Sequence, residues 1–312
     1  MGHSQRSNEK VVRDSNDEGK TCRHDARRHA LVLAPTIQDL QLVDWLYEQR
    51  IPPWQPYFSL LDRVHQHLVP RTYAEIGVSL GRSLTLSLPG TVSVGIDPFP
   101  NLQFPLRRGT RVFSQTSDDF FAQHDLRKLF GGRSLDLGFI DGMHRFEFAL
   151  RDFINLERAS TSDTVLLIHD CLPIDELSAE REQLTEIWSG DVWRLILILK
   201  EWRPELDLAV IDIAPTGLGV VQGLDPHSAV LQENYGDIVG QFMDTPFSVL
   251  DGSKHAKLCT IASDWPTVRA RLPSTPFRRS NVELLKAQRA SCAVMPLARR
   301  SVRWATTRVK GR

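Results

Sequence analysis

The sequence predicts an α/β, Rossmann-like domain: a mostly parallel sheet with helices on both faces and a terminal antiparallel hairpin. Three observations lead there. Short apolar runs recur from residue 72 to residue 168, and their ends carry Glu75, Asp97, Ser117, Asp141 and the pair His169-Asp170. Runs of helical period alternate with them, which is the pattern of a parallel sheet wrapped by helices. Two later runs, 208–214 and 218–222, flank the turn Pro215-Thr216-Gly217 and read as a hairpin.

Composition sets the frame. The 312 residues suffice for a full hydrophobic core, and 41% apolar with 24% charged residues is ordinary for a globular chain. The formal net charge of zero hides an asymmetry: residues 269–312 hold twelve basic side chains against the single acid Glu283. Such a tail reads as a solvated extension with a short helix over 281–290 rather than a nucleic-acid arm, because Trp304 is a lone aromatic. Cys22, Cys171, Cys259 and Cys292 are scattered without a C-x-x-C pair, which argues against a zinc site or disulfide framework. The N-terminus has no signal-like apolar core, and no apolar run reaches membrane-spanning length. The expectation is a cytoplasmic protein with no membrane partner.

Residues 1–30 are rich in Arg, Asp, Ser, Asn and His and are expected to be disordered. Residues 31–70 carry two amphipathic patterns, Leu40, Val43, Leu46 and Tyr47, then Phe58, Leu61, Val64 and Leu68, with Pro52-Pro53 between them and Pro70 after. They fit two leading helices that form a lid or a dimer-forming cap, so a homo-oligomer is one expectation. Residues 71–225 form the main domain. Residues 226–312 form a C-terminal extension with the basic tail, and 223–272 show no assignable pattern.

The first main strand, from Tyr73, ends in Glu75-Ile76-Gly77, and Gly81 follows four residues after Gly77, ahead of a helix-like run. A strand edge without side chains lets a flat cofactor lie against the backbone. A second strand, 91–97, ends in Asp97, placed to take both hydroxyls of a ribose. A dinucleotide site needs G-x-G-x-x-G so that pyrophosphate meets backbone N–H groups. Here Glu75 stands where a glycine should be and would repel a pyrophosphate; it suits a ligand with an amine or hydroxyls.

A third strand, 111–115, leads to Ser117-Asp118, with Ser117 read as a helix N-cap or a contact to a bound base. A fourth, 135–140, ends at Asp141, itself able to cap the following helix. That helix carries the stripe Phe146, Ala149, Leu150, Phe153 and Ile154. A fifth, 164–168, ends at His169-Asp170. A helical stretch is expected through Trp188 and over 192–202, and Trp188, Trp193 and Trp202 read as core or pocket wall.

Glu75-x-Gly77-x-x-x-Gly81 resembles the first motif of class I S-adenosylmethionine-dependent methyltransferases. Ile140-Asp-Gly-Met-His144 with Phe146-Glu147, Gly190-Asp-Val-Trp193 and Pro215-Thr-Gly-Leu-Gly219 resemble a subfamily of macrolide-sugar O-methyltransferases and cephalosporin hydroxylase-like proteins. The resemblance covers residues 72–222. It implies S-adenosyl-L-methionine bound by Glu75, Gly77, Gly81, Asp97, Ser117 and Asp118, and a hydroxylated small molecule, a sugar or natural product, as acceptor. It implies His144 as general base beside Asp141, and a divalent metal on Asp141 and Asp170. The relatives carry an acidic pair after the fifth strand, and His169 replaces its first member. Mg²⁺ with oxygen ligands, Mn²⁺ drawn by the imidazole, or a His169 that merely orients Asp170 all follow from that substitution.

Three other classes compete. A nucleic-acid methyltransferase lacks its motifs: Asp141-Gly-Met-His144 replaces an Asx/Ser-Pro-Pro-aromatic run, and Cys171 follows an acid rather than a proline. A non-catalytic module that keeps the fold would tolerate His169. A nicotinamide oxidoreductase conflicts with Glu75.

Overall fold

The computed structural model describes residues 56–278 and the backbone of a two-residue strand, β1 (Leu31–Val32). The N-terminal segment 1–30, the helix expected from Ile37, most of the basic tail with its 281–290 helix, Cys22 and Cys292 lie outside the described residues.

The strands after β1 are β2 (Thr72–Ile76), β3 (Val92–Asp97), β4 (Thr110–Ser114), β5 (Leu137–Ile140), β6 (Val165–His169), β7 (Asp207–Asp212), β8 (Leu218–Gln222) and β9 (Thr260–Ala262). They form one sheet in the order β1-β4-β3-β2-β5-β6-β8-β7-β9. From β4 to β6 all neighbours are parallel. Strand β8 runs antiparallel to both β6 and β7, so the hairpin closes this side as expected. Strand β9 then pairs parallel with β7, so the segment beyond residue 225 adds an edge strand to the same sheet. Its three residues gave no readable period. At the other edge β1 pairs antiparallel with β4.

Apolar side chains fill both faces. On one, Ala74, Ile76, Ile140, Leu166 and Ile168 pack with Phe120, Leu150, Phe153 and Leu195. The last four come from α2 (Ser117–Gln123), α3 (Phe146–Arg158) and α4 (Trp193–Trp202). On the other, Tyr73, Phe139, Val165 and Leu167 pack with Phe58, Leu61, Val64 and Leu68 of the leading helix α1 (Tyr57–Leu68). Burial on both faces explains why β2, β5 and β6 read as unbroken apolar runs rather than alternating ones.

The chain steps from β2 outward to β3 and β4, then returns to lay β5 and β6 on the other side of β2. A crevice opens at such a reversal, beyond the carboxyl ends of the strands. Among the described residues no helix is long and apolar enough to cross a membrane.

Three local expectations need correction. The run after Gly81 makes a 3₁₀ turn, Leu84–Leu86, not an α-helix, because Pro89-Gly90 leaves too few residues before β3. Trp188 lies in an irregular segment and α4 starts at Trp193. Thr116, not Ser117, caps α2 by accepting from the Asp119 N–H at 3.1 Å.

Candidate active site

Loops at the carboxyl ends of β2 to β6 and residues of α1 enclose a cleft of about 1320 Å³. Drug-sized sites run to roughly 1000 Å³, so a cofactor and an acceptor fit together. Its lining holds six acids, Asp97, Asp118, Asp141, Asp152, Asp170 and Glu186, against Arg82 as the sole Arg or Lys. That balance favours a cationic ligand over a phosphate.

The side of the cleft at β2 and β3 is built from Gly77 and Asp97. Gly77 has φ +88°, and a Cβ there would stand 1.9 Å from the Asp141 carbonyl oxygen. The glycine is therefore required for the β2 and β5 loops to meet, and its lack of a side chain does not serve a ligand alone. Asp97 accepts from the N–H groups of Val78 at 2.9 Å and Ser79 at 2.8 Å through Oδ2, and from Phe99 at 2.7 Å through Oδ1. It pins the glycine loop and still borders the cleft.

Glu75 and Gly81 do not line the cleft. The Glu75 carboxylate is fully buried and accepts from the Tyr73 hydroxyl at 2.6 Å and the Ser83 hydroxyl at 2.6 Å. Burial pushes its pKa up to about 8, against the lowering effect of those two hydrogen bonds. It braces the loop from behind. Ser117 and Asp118 do line the cleft, with Asp118 held by Arg151 through two bonds of 2.8 Å.

The other side gathers the ends of β5 and β6. Asp141 is free of capping duty, because α3 starts at Phe146, whose N–H donates to Asp191 Oδ1 at 2.9 Å. His144 Nδ1 donates to the Trp188 carbonyl at 2.8 Å, and its ring stacks on Trp188. Its Nε2 then faces Asp170 Oδ2 at 3.2 Å and Asp141 Oδ1 at 4.0 Å. Asp170 adopts φ +65°, which turns its carboxylate back toward the cleft, where the Thr216 hydroxyl donates to Oδ1 at 2.5 Å.

His169 Nδ1 lies 3.1 Å from Asp141 Oδ1 and 3.3 Å from Asp170 Oδ1, under the ring of Tyr57. Burial works against its charge, but the Asp170 and Asp141 carboxylates outweigh it and hold the imidazolium well above the usual histidine range. Burial works the other way on Asp170, where His169 and then His144 keep it below the usual carboxylate range.

Among the described residues, the side chains whose ligand atoms lie within 4.8 Å of one another, as a metal requires, are Asp141, His144 and Asp170. His169 is not among them, although it too lines the cleft with Nδ1 beside both carboxylates. Two carboxylates and the Nε2 of His144 converge on one point, and that set of side chains fits a divalent transition ion.

Residues 74–171 match the family model described as a methyltransferase domain. That stretch carries a methyltransferase domain. No curated protein matches the chain. Among solved structures, cofactor-bound Rv0187 from MTB is 18% identical, over 59% of this chain and 87% of that one, with a TM-score of 0.43. The O-methyltransferase from Bacillus cereus in complex with SAH is 15% identical over 62% and 93%, with a TM-score of 0.41. TomG from Streptomyces achromogenes, an O-methyltransferase involved in tomaymycin synthesis, gives the same figures.

Several groups of the cleft hold places that no sequence pattern assigned them. Tyr57 arrives from the leading helix, Thr216 from the hairpin turn, and the Trp188 carbonyl from an irregular loop. Gly190 carried one signal, its place in a motif. A Cβ there would stand 1.8 Å from the His144 carbonyl oxygen, so the glycine lets the two loops touch. Cys171 is fully buried, and burial raises its thiol far above the usual range, which disfavours the thiolate.

Proposed function

We propose that this methyltransferase moves the methyl group of S-adenosyl-L-methionine to a hydroxyl of a small molecule, a sugar or natural product, with His144 as general base. The observation that carries the reading is the aim of His144 Nε2 into the cleft beside Asp141 and Asp170. With Nδ1 donating to the Trp188 carbonyl, Nε2 is the nitrogen left to take a proton. The acceptor oxygen forms a bond to the methyl carbon, the carbon–sulfur bond breaks, and its electrons return to sulfur to leave the neutral thioether S-adenosylhomocysteine. The hydroxyl proton passes to Nε2, where the Asp170 carboxylate stabilises the new imidazolium. Gly77, Asp97, Ser117 and Asp118 are proposed to hold the donor, with Glu75 and Gly81 supporting their loop.

Asp141, His144 and Asp170 would hold a Mn²⁺ or Mg²⁺ ion, which would lower the pKa of the acceptor hydroxyl and fix its position. His144 cannot be ligand and base through one nitrogen at once, so the two roles are experimentally distinct. The test is methylation of hydroxylated acceptors by the full chain with and without a chelator. Turnover that survives chelation supports His144 as the base. Turnover lost in chelator and restored by Mn²⁺ makes His144 a ligand. Donor cleavage with no methylated hydroxyl product contradicts O-methylation.

A further inference from the structure

The stretch from Asp170 to Val192, between β6 and α4, holds no helix or strand, yet it fixes His144. The Trp188 carbonyl takes the Nδ1 proton, and the Trp188 ring stacks on the imidazole. Trp188 is itself held from outside the cleft. Its indole N–H donates to the Glu180 carbonyl at 2.6 Å. The N–H groups of Ser189 and Gly190 donate to the Ser178 carbonyl at 2.9 and 3.1 Å. Residues 178–181 therefore back residues 188–190, and a shift of one strip moves the other.

Arg181 joins these strips to the helices. Its guanidinium donates to Glu147 Oε2 at 3.1 Å and to Oε1 at 2.5 Å, a two-pronged pair on the first turn of α3. It also donates to Asp191 Oδ2 at 2.5 Å. The Asp191 side chain is 1% exposed and accepts from the Phe146 N–H and from Arg194 of α4 at 2.8 Å. One guanidinium thus fastens the irregular stretch to the start of α3, within three residues of His144. Burial works against the Glu147 charge, but the hydrogen bonds from Arg181 outweigh it and hold the carboxyl below its usual range. A two-pronged, shielded pair orients as well as attracts. The neighbouring pair of Arg145 with Glu182 differs: the Glu182 side chain is 80% exposed, and such a pair contributes little.

We infer that Arg181 is a positioning residue for the reaction: by clamping residues 178–190 to α3 it keeps the Trp188 carbonyl on His144 Nδ1 and leaves Nε2 to take the acceptor proton. The inference rests on the reading of His144 as general base. A neutral imidazole carries one proton, on either nitrogen, and the partner of one nitrogen decides the state of the other. With the clamp gone, the carbonyl no longer selects Nδ1, and a ring protonated at Nε2 cannot accept there. Asp191 would still cap Phe146 and pair with Arg194, so loss of Arg181 spares the helix starts.

The experiment is long-range proton–nitrogen NMR of the full chain labelled with ¹⁵N-histidine, in chelator, at about pH 8.5, where an ordinary histidine is neutral. The His144 signals are identified by their loss in His144→Gln. Wild type should show the proton on Nδ1. In Arg181→Gln the ratio of the Nδ1–H to the Nε2–H form should fall about 5-fold or more, the equivalent of one weakened hydrogen bond. Thermal unfolding of that variant should stay cooperative. If it does not, Glu147→Gln decides, since it breaks the two-pronged pair and leaves Arg181 on Asp191; its ratio should fall in the same direction. Arg145→Gln, which removes only the exposed pair, should keep the wild-type ratio. An unchanged ratio in the folded clamp variant, or an equal fall in Arg145→Gln, overturns the inference and leaves His144 as base. A wild-type His144 with its proton on Nε2 overturns both.

Discussion

The two sides of the cleft use acids in opposite ways. On the β2 and β3 side Asp97 and Glu75 are satisfied: five hydrogen-bond donors, three backbone N–H groups and two hydroxyls, are already spent on them. On the β5 and β6 side Asp141 and Asp170 meet imidazoles, and His144 directs its Nε2 toward them. A satisfied carboxylate fixes a shape, whereas converging acceptors hold a proton or a cation. The contrast separates a scaffold finished by its own hydrogen bonds from a site completed by what binds it.

Substitutions on the two sides should therefore fail differently. The largest effect belongs to Gly77→Ala. Strained φ and a Cβ against the Asp141 carbonyl should cost about 2–4 kcal/mol and abolish binding of S-adenosylhomocysteine. Retained affinity with an unchanged Tm would mean the loops are not held together there. Next comes His144→Ala, expected to lower turnover about 100-fold while leaving cofactor affinity in place. Comparable losses in affinity and turnover would erase the distinction between the two sides.

Asp97→Ala should weaken the cofactor by about 1–3 kcal/mol. It should also loosen the glycine loop, read as faster amide exchange at Val78 and Ser79. Normal exchange with weakened binding would assign Asp97 to the ligand alone.

The smallest effect is on pH. A carboxyl whose folded pKa of about 8 exceeds its ordinary 4.5 binds its proton more tightly when folded. Stability therefore falls as pH rises through that window. Glu75→Gln should flatten the fall in Tm between pH 5 and pH 8. An unchanged slope would place the titration elsewhere.

The same contrast governs what was legible in the sequence. Strands β2 to β6 could be read because full burial writes them as apolar runs with polar ends. Asp97, Asp141 and Asp170 could be placed because a strand end is a position in a topology. The role of Glu75 could not, since its partners Tyr73 and Ser83 lie two residues before and eight after it, and no period links them. The segment around Trp188 misled because its apolar residues suggest a helix. It is instead held by long-range pairs, Arg181 with Glu147 and Asp191, and Arg145 with Glu182. His169 looked like a ligand by its place in a motif. The structure packs its ring under Tyr57 with Nδ1 beside both carboxylates, outside the Asp141, His144 and Asp170 group.

The account depends most on the cleft preferring a cationic, phosphate-free donor. Calorimetric titration of the full chain with S-adenosyl-L-methionine, S-adenosylhomocysteine and NAD tests this directly. Binding of the first two and none of NAD is the predicted result. Binding of NAD, with neither sulfur compound bound, would contradict it.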